Sequence, residues 1–537
     1  MKQILSLTEA QYPIDSYAEL HPIMNAAAAH YKEKAKVFET GLQRLDEFGI
    51  RRTFHGFYYI SHYYPLRAMS EISGQRAKEI LSEMAGSTFE VYLHYPFCEQ
   101  LCSFCHFHKK ITSLDNVERR ETEVIDTLIA ELQLNTQIMG QRIKARSLQL
   151  GGGTPSLMTN QGLVRLLKAC EKYLDIQSDA EIKTEIYPKH YDENYLREKL
   201  RILKSFGFTD LVIDLESGNQ KTLDFIQRKN SSLDDYLRLV EICIEEGFTS
   251  FITALMAGLP YETYDSMYST VETLSEIKEL SVINVFPTIM RESDPISKKL
   301  ELNPEAFNDS STRANMWLMA RMALHDKGFI DGPISYLHRP AIRPEQQADK
   351  FECVNLIGFG PSSFGYLNGP HNDWAGQYFN FCSTEEHRKR INEGYPAIWR
   401  IGQYDNEERA RRKIIFGLAN VKTENLLAIE KNYNVSIDKI MGKTLNALHS
   451  LDLIELDKSI HGIRFTDQGL ARLEEITYYF YSKFAKDKCD EIPDTRDENY
   501  KWLINQHYAV TVRREDRLRF EKYEVSMSNN FMEKLRY

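Results

Sequence analysis

Cysteine is scarce in this chain: eight residues in 537 are too few for a disulfide scaffold at this length. No stretch reaches the roughly 18 apolar residues of a membrane helix. The opening Met1-Lys2-Gln3-Ile4-Leu5-Ser6-Leu7-Thr8-Glu9 lacks a sustained apolar segment followed by a small-residue cleavage site. Neither a membrane partner nor a secretory leader is expected, and the expected location is the cytoplasm. Positive charge is also in deficit, with 67 Lys and Arg against 77 Asp and Glu and a net charge of -10. The longest basic clusters, Arg388-Lys389-Arg390 and Arg411-Arg412-Lys413, read as solvated helix faces and leave no electrostatic footprint for nucleic acid. Internal repeats and low-complexity tracts are missing too. What is present is a hydrophobic fraction of 42%, enough to bury a large core in two or three domains.

Three regions are expected, spanning residues 1–88, 89–370 and 371–537. The first is rich in helix formers, with alanines from Ala26 to Ala29 and an aromatic stretch from Phe54 to Pro65. It reads as a helical extension whose aromatics pack on the next domain or line a substrate pocket. In the second, short apolar runs alternate with helical patterns: Phe89 to Leu93, Ser147 to Leu150, Glu181 to Ile186, Asp210 to Leu215, Ser250 to Met256 and Ser281 to Phe286. Six such runs predict an α/β fold with a parallel sheet, open or curled into a barrel, whose ligands sit at the carboxyl ends of the strands. Beyond about residue 370 helices take over, at Asn406 to Leu418 and Thr444 to Leu451, before a hairpin turning at Ser459-Ile460-His461-Gly462 and a helix from Thr466. That order suggests a winged-helix-like α+β module with a structural or substrate-covering role.

Three of the eight cysteines, Cys98, Cys102 and Cys105, form a CxxxCxxC run just after the first expected strand. Thiolates this close select zinc or an iron-sulfur cluster. Structural zinc needs a fourth ligand, for which His106 and His108 are at hand. His106 directly abuts Cys105 and would form a strained chelate, which favours a cluster with one iron left open. The other five cysteines (Cys170, Cys243, Cys353, Cys382 and Cys489) are scattered and read as small buried hydrophobes. The second strand ends in Gly151-Gly152-Gly153-Thr154-Pro155, where bare backbone lets polar groups come close to a ligand.

The cysteine run, the glycine run and Tyr92-x-His94-x-Pro96-Phe97-Cys98 together resemble the radical S-adenosylmethionine (SAM) superfamily. Glu185 in Thr184-Glu185-Ile186-Tyr187-Pro188, Gly258-Leu259-Pro260 and Gly358-Phe359-Gly360-Pro361-Ser362-Ser363-Phe364-Gly365 narrow the resemblance to its oxygen-independent coproporphyrinogen III oxidase-like group. That group includes haem chaperones, haem-degrading enzymes, and class C methyltransferases and cyclopropanases. The resemblance implies a partial (β/α)6 radical SAM barrel and a 4Fe-4S cluster on Cys98, Cys102 and Cys105. It also implies one or two SAM molecules, reductive SAM cleavage to a 5'-deoxyadenosyl radical, a small-molecule substrate, and an electron donor such as flavodoxin or ferredoxin. Carried over residue by residue, Tyr92 and Phe104 border the bound SAM, Gly152, Gly153 and Thr154 contact its methionine end, and Glu185 takes its amine or ribose. Arg228, twelve residues beyond Glu216, pairs its carboxylate, a contact suited to a planar guanidinium.

The chain also departs from the family pattern. Asp214-Leu215-Glu216-Ser217-Gly218 stands where the family has Gly-Val-Gln-Ser-Phe, Ala254 replaces an aspartate before Gly258-Leu259-Pro260, and Phe107 occupies the place of a further cysteine. Glu216 could supply the carboxylate lost at Ala254. The His371 to Asn380 stretch has the letters but not the spacing of a haem-chaperone element. These departures lead to the expectation of a two-SAM C-methylation or cyclopropanation. The alternatives are oxidation or opening of a tetrapyrrole and non-catalytic haem carriage. A proton-transfer residue is sought among His94, His106, His108 and Tyr95, each of which could instead serve packing or cluster shielding.

Overall fold

The computed structural model describes residues 14–51, 63, 65, 68–105, 107–188, 192–228, 231–288, 294–334, 336–341, 352–369, 374–490 and 514–536. Six parallel strands form its centre: β1 (Thr88–Tyr95), β2 (Ile143–Gly152), β3 (Leu174–Glu185), β4 (Asp210–Val212), β5 (Phe251–Ala257) and β6 (Leu280–Pro287). They are hydrogen-bonded to one another in chain order. Each overlaps one of the six expected apolar runs. All seven residues of β5 are buried, as a central parallel strand covered on both faces requires.

The helices between these strands start at side chains that accept backbone N–H groups: Thr159 from Gly162, Asp192 from Tyr195, Ser232 from Asp235 and Thr263 from Ser266. Each such cap contributes about 1 kcal/mol. Their buried faces follow the helical period. Asn160–Tyr173, for example, buries Leu163, Leu166, Leu167 and Cys170, one apolar stripe facing the core. Cys170, Cys243 and Cys382 are all buried as expected, Cys353 is half-buried, and the Cys489 side chain lies outside the described residues.

The sheet does not close. β7 (Leu356–Phe359) pairs parallel with the outer edge of β1, and β8 (Phe364–Asn368), β9 (Ala375–Asn380) and β10 (Ile398–Tyr404) continue it antiparallel. On the other side Tyr336–His338 lies antiparallel to β6, and among the described residues the whole sheet has thirteen strands. The strands therefore run on past residue 370, where helices were expected to take over. Ala375-Gly376-Gln377-Tyr378-Phe379-Asn380 carries no alternating pattern because every one of its residues is buried. Its strand character comes from pairing with β8 and β10.

Beyond residue 405 the expected order appears. Helices Asn406–Ala419 and Ile437–Ser450 precede the hairpin of Ile454–Asp457 and Gly462–Phe465, and Thr466 caps the next helix by accepting the Gly469 N–H. The N-terminal helix Ile14–Leu42 lies against helices Tyr264–Ser275 and Ser310–Asp326. There Tyr31 stacks on Tyr268 at 5.7 Å and donates to Asp326 at 2.6 Å. Of the aromatic stretch Phe54 to Pro65, only Tyr63 and Pro65 are described; the Tyr63 hydroxyl is buried against the Glu408 carboxylate. Among the described residues no helix is long and apolar enough to cross a membrane.

A buried bidentate pair ties the two ends of the chain together: Arg472 donates to both Glu39 oxygens, at 2.9 and 3.0 Å. Removing one partner of such a pair strands charge in a low-dielectric interior. Glu39→Ala is expected to lower the unfolding free energy by about 3 kcal/mol, read as a shift in the urea midpoint at unchanged slope.

Candidate active site

The carboxyl ends of β1 to β4 converge on one edge of the sheet, and the loop after β1 carries the three clustered cysteines. This loop is pinned by backbone bonds. Phe97–Cys98 pairs with Lys110–Ile111, Thr112 N donates to Cys98 O at 2.9 Å, Ser103 N to Ile226 O at 2.9 Å, and Ile296 N to Ser103 O at 3.0 Å. Cys98 and Cys102 are buried, Cys105 is half-buried, and none forms a disulfide. Thr154 Oγ1 donates to the Cys98 sulfur at 3.4 Å. Burial pushes the Cys98 thiol up to about 12 and the Cys102 thiol up to about 11, with Cys105 adding to both shifts and Cys102 to that of Cys98. A positively charged iron beside them would reverse that preference. Among the described residues no group of three His, Cys, Asp or Glu side chains is gathered about a single metal-ion position.

The glycine run lies directly beneath this loop. Gly153 N donates to Tyr95 O at 2.7 Å and Thr154 N to Phe97 O at 2.8 Å. A Cβ on Gly153 would sit 2.6 Å from the Phe97 carbonyl oxygen, and one on Gly151 would sit 2.6 Å from Glu185 Oε1. Gly152 has φ of +119°, where a side chain is strained. The need for glycine here is therefore met first by backbone packing against the cysteine loop. Glu185, at the end of β3, accepts from Gln149 Nε2 at 3.4 Å. Burial, aided by the nearby Asp214, pushes its carboxyl up to about 8.

Beside Cys102 lies a second buried charge group. Glu216 adopts φ of +69°, bridging to β5 through Glu216 N to Ala254 O at 2.9 Å and Met256 N to Glu216 O at 2.9 Å. Glu216 thus sits next to Ala254, where the sequence lacks the family's carboxylate. Its Oε1 is 3.3 Å from Arg228 Nη1. Arg228 also donates to the Asp214 carbonyl and lies 4.7 Å over the Tyr187 ring. Burial holds the Glu216 carboxyl above its ordinary range while Arg228 opposes that shift. Two buried atoms of this group have no hydrogen-bond partner, Glu216 Oε2 and Arg228 Nε.

The candidate proton-transfer residues fall into different places. His94 shares a face of β1 with Tyr92, whose hydroxyl is 3.0 Å from Nδ1, and Nε2 is 3.3 Å from His108 O. Burial pulls His94 down to about 4 and His108 to about 3, so both rings are neutral near pH 7, with the proton of His94 on Nε2. His106 lies outside the described residues. Tyr95 points to the opposite face of β1, as strand alternation dictates. It is fully buried, edge-on to Phe97 at 5.5 Å, with its hydroxyl 3.4 Å from Glu121, on the face away from His94. Phe104 is half-buried against the apolar cluster of Leu223, Ile226, Met256, Leu259 and Ile296. Sequence reading passed over Gln149, Tyr187 and Asp214 as site members. Gln149, a polar residue between Leu148 and Leu150, was the available signal.

With this geometry in view, residues 92–274 match the family model of the Radical SAM superfamily. The oxygen-independent coproporphyrinogen III oxidase of Escherichia coli is 24% identical over 444 residues, 80% of this chain and 93% of that protein. The heme chaperone HemW of Lactococcus lactis is 24% identical over 396 residues, 74% of this chain and 97% of that protein. The solved structure of the E. coli coproporphyrinogen III oxidase (HemN), described as a radical SAM enzyme, aligns with a TM-score of 0.66 at 21% identity, covering 77% of this chain and 94% of that one. The chain carries a radical SAM domain, and its open six-stranded parallel sheet is the partial barrel of that fold. Within the superfamily, its similarity is to the oxygen-independent coproporphyrinogen III oxidase-like group.

The cofactors of such a domain are a 4Fe-4S cluster and SAM. The residues present fit them: three disulfide-free thiols on one pinned loop, and next to them a buried anion and cation that each keep an unsatisfied atom. A zwitterionic amino acid end can complete both.

Glu185 holds its proton in the folded chain up to about pH 8 but gives it up near pH 4 when unfolded. Between those values the folded state binds more protons than the unfolded one. Its stabilisation is therefore complete below about pH 4 and is lost as pH rises towards 8. Glu185→Gln is expected to flatten the decline of the melting temperature of the cofactor-free protein over that range, measured calorimetrically in a pH series.

Proposed function

We propose that this chain is a radical SAM enzyme whose cluster is held by Cys98, Cys102 and Cys105 and whose SAM lies across the ends of β2 to β4. The observation that carries this reading is the juxtaposition of the three thiols with the incompletely partnered Glu216 and Arg228. When bound, the cluster and SAM together supply one-electron cleavage of the sulfonium to a 5'-deoxyadenosyl radical. In this reading Arg228 Nε donates to the SAM carboxylate, while Glu216 Oε2 and Glu185 accept from its amine or ribose. Tyr92, hydrogen-bonded to His94, and Phe104 wall the site and exclude water. Neutral His94, with a proton on Nε2 and an acceptor at Nδ1, is the residue best placed to hold or pass a proton.

For the substrate we favour a tetrapyrrole, oxidised by hydrogen abstraction. Relatives named for coproporphyrinogen III oxidation and for haem handling match over 93% and 97% of their own lengths. A second reading, C-methylation or cyclopropanation with a second SAM, is supported by the departures at Glu216, Ala254 and Phe107, and non-catalytic haem carriage is the third. The electron comes from a reduced carrier protein, and a cytoplasmic location suits such a donor.

Anaerobic reconstitution, reduction and product chromatography separate these readings. With coproporphyrinogen III supplied, 5'-deoxyadenosine without S-adenosylhomocysteine is the expected result. Both products together would replace it with methyl transfer, and haem binding with neither product would replace it with carriage. Single substitution of Cys98, Cys102 or Cys105 by Ala is expected to abolish the cluster's visible absorbance and 5'-deoxyadenosine formation, while Cys489→Ala leaves both intact. A triple-cysteine variant that still cleaves SAM would overturn the assignment.

A further inference from the structure

After β4 the chain turns at Glu216-Ser217-Gly218 with Glu216 at φ of +69°, a conformation that a residue bearing a side chain keeps only where its surroundings impose it. The backbone bonds of Glu216 to β5 supply part of that restraint. The rest comes from Ser217, which is 1% exposed. Its hydroxyl donates to the Glu262 carboxylate and accepts from Asn219 N at 3.0 Å, and Asn219 Nδ2 donates to Tyr261 O at 3.0 Å. Glu262, 3% exposed, lies just past Gly258-Leu259-Pro260 and is anchored on its other side. Its second carboxylate oxygen accepts from Ser266, and Asn308 Nδ2 donates to Glu262 O at 3.0 Å and to Leu259 O at 2.7 Å. Burial pushes the Glu262 carboxyl up to about 7, opposed by the hydrogen bonds from Ser217, Ser266 and Thr263 N. A buried carboxyl is costly unless it is hydrogen-bonded, and here a serine hydroxyl meets each oxygen.

The same turn sets the residues that follow it. Asn219 caps Gln220–Phe225 by accepting Lys221 N. At the far end of that helix Arg228 N donates to Leu223 O at 2.9 Å, and Ile226 O accepts from Ser103 N, which lies between Cys102 and Cys105. A hydrogen-bonded line thus runs from Glu262 through Ser217, Asn219 and the helix to the cysteine loop. Glu216 stands at its start and Arg228 at its end, and the two meet at 3.3 Å beside Cys102. A shift of Ser217 is carried to both members of the pair, and misplacement by about 1 Å at a reacting site can cost roughly a hundredfold in rate.

We infer that Glu262 is a positioning residue for the SAM-binding pair: by holding the Ser217 hydroxyl it keeps Glu216 in the left-handed conformation and, through Asn219 and the helix beyond, keeps Arg228 opposite it. The inference rests on the radical SAM reading above and gives a role to a carboxyl that the reading leaves without one. The side-chain hydrogen bonds of Glu262 go to Ser217, Ser266 and Thr263 N; among the described residues none goes to a thiol, to Glu216 or to Arg228. What Ser217 requires of residue 262 is an acceptor, not a charge. Glutamine keeps that acceptor and offers an amide donor to Ser266 Oγ, whose own proton can turn to Thr263 O at 3.1 Å. Alanine removes both partners.

The test uses the full chain as Glu262→Ala, Ser217→Ala, the double variant and Glu262→Gln. In the cofactor-free protein, amide hydrogen exchange over residues 214–222 reads the turn directly. After reconstitution and reduction with dithionite, two measurements read the pair: the KM for SAM in 5'-deoxyadenosine formation, and the change that SAM makes in the cluster's electron paramagnetic resonance spectrum. Glu262→Ala and Ser217→Ala are each expected to quicken exchange and to raise the KM at least about fivefold, with correspondingly more SAM needed for the spectral change. Iron content and the spectrum without SAM are expected to match the unmodified protein. The double variant is expected to match the worse single one, as two members of one bond do, and Glu262→Gln to stay within about twofold of the unmodified KM. Should Glu262→Ala fail to fold, Ser217→Ala, which removes a single oxygen, carries the same readings. Unchanged exchange or an unchanged KM in Ser217→Ala, or a Gln variant as impaired as the Ala variant, would overturn the positioning role alone. An unmodified chain that cleaves no SAM with dithionite would instead overturn the radical SAM reading and this inference with it, so the two failures are distinguishable.

Discussion

The arrangement depends on backbone meeting backbone at the ends of β1 and β2 with no side chain between them. Gly153 N reaches Tyr95 O at 2.7 Å and Thr154 N reaches Phe97 O at 2.8 Å, continuing the parallel pairing beyond the strands and drawing the cysteine loop down onto the sheet. A single methyl group at Gly153 would collide with the Phe97 carbonyl. Because protein interiors are close-packed and yield little, that collision would move the loop, and with it all three thiols. Rigid placement of metal ligands begins here, before any metal chemistry.

Once the loop is seated, electrostatics define what lies beside it. Glu185, Asp214, Glu216 and Arg228 are brought together by the ends of β3 and β4, where little water reaches them. Three carboxyls and one guanidinium are an unbalanced set, and burial raises the carboxyls instead of leaving them all ionised. The guanidinium spends its donors on Glu216 and the Asp214 carbonyl and retains one. Such an incompletely satisfied group is costly in the free protein and becomes favourable when a ligand of matching charges enters. The neutral histidines serve the same economy, since His94 and His108 are buried together without adding charge.

The outer parts of the fold frame this centre. The N-terminal helix is a brace across the helices behind β5 and β6 and is locked to the C-terminal region through Glu39 and Arg472. The antiparallel strands β8 to β10 widen the sheet on the side of β1, so the helical and hairpin region begins only after Tyr404.

Much of this was legible in the chain itself. The six core strands announced themselves because parallel strands buried on both faces must be short apolar runs, and the cysteine and glycine spacings are local, set by the geometry of one loop and one strand end. The hairpin at Ser459 to Gly462 and the cap at Thr466 are equally local signals. Tertiary structure decided what depends on partners distant in sequence. β9 and β10 are strands because of the neighbours they pair with, and Tyr95 was separated from His94 by the alternation of a strand whose faces the sequence does not label. Arg228 met Glu216 and Tyr187 because three loops converge at one end of the sheet. Residue identity determined which chemistry the chain could hold; the folding of separate strand ends to a common edge decided which of those residues share a site, because burial and charge pairing are properties of the assembled neighbourhood.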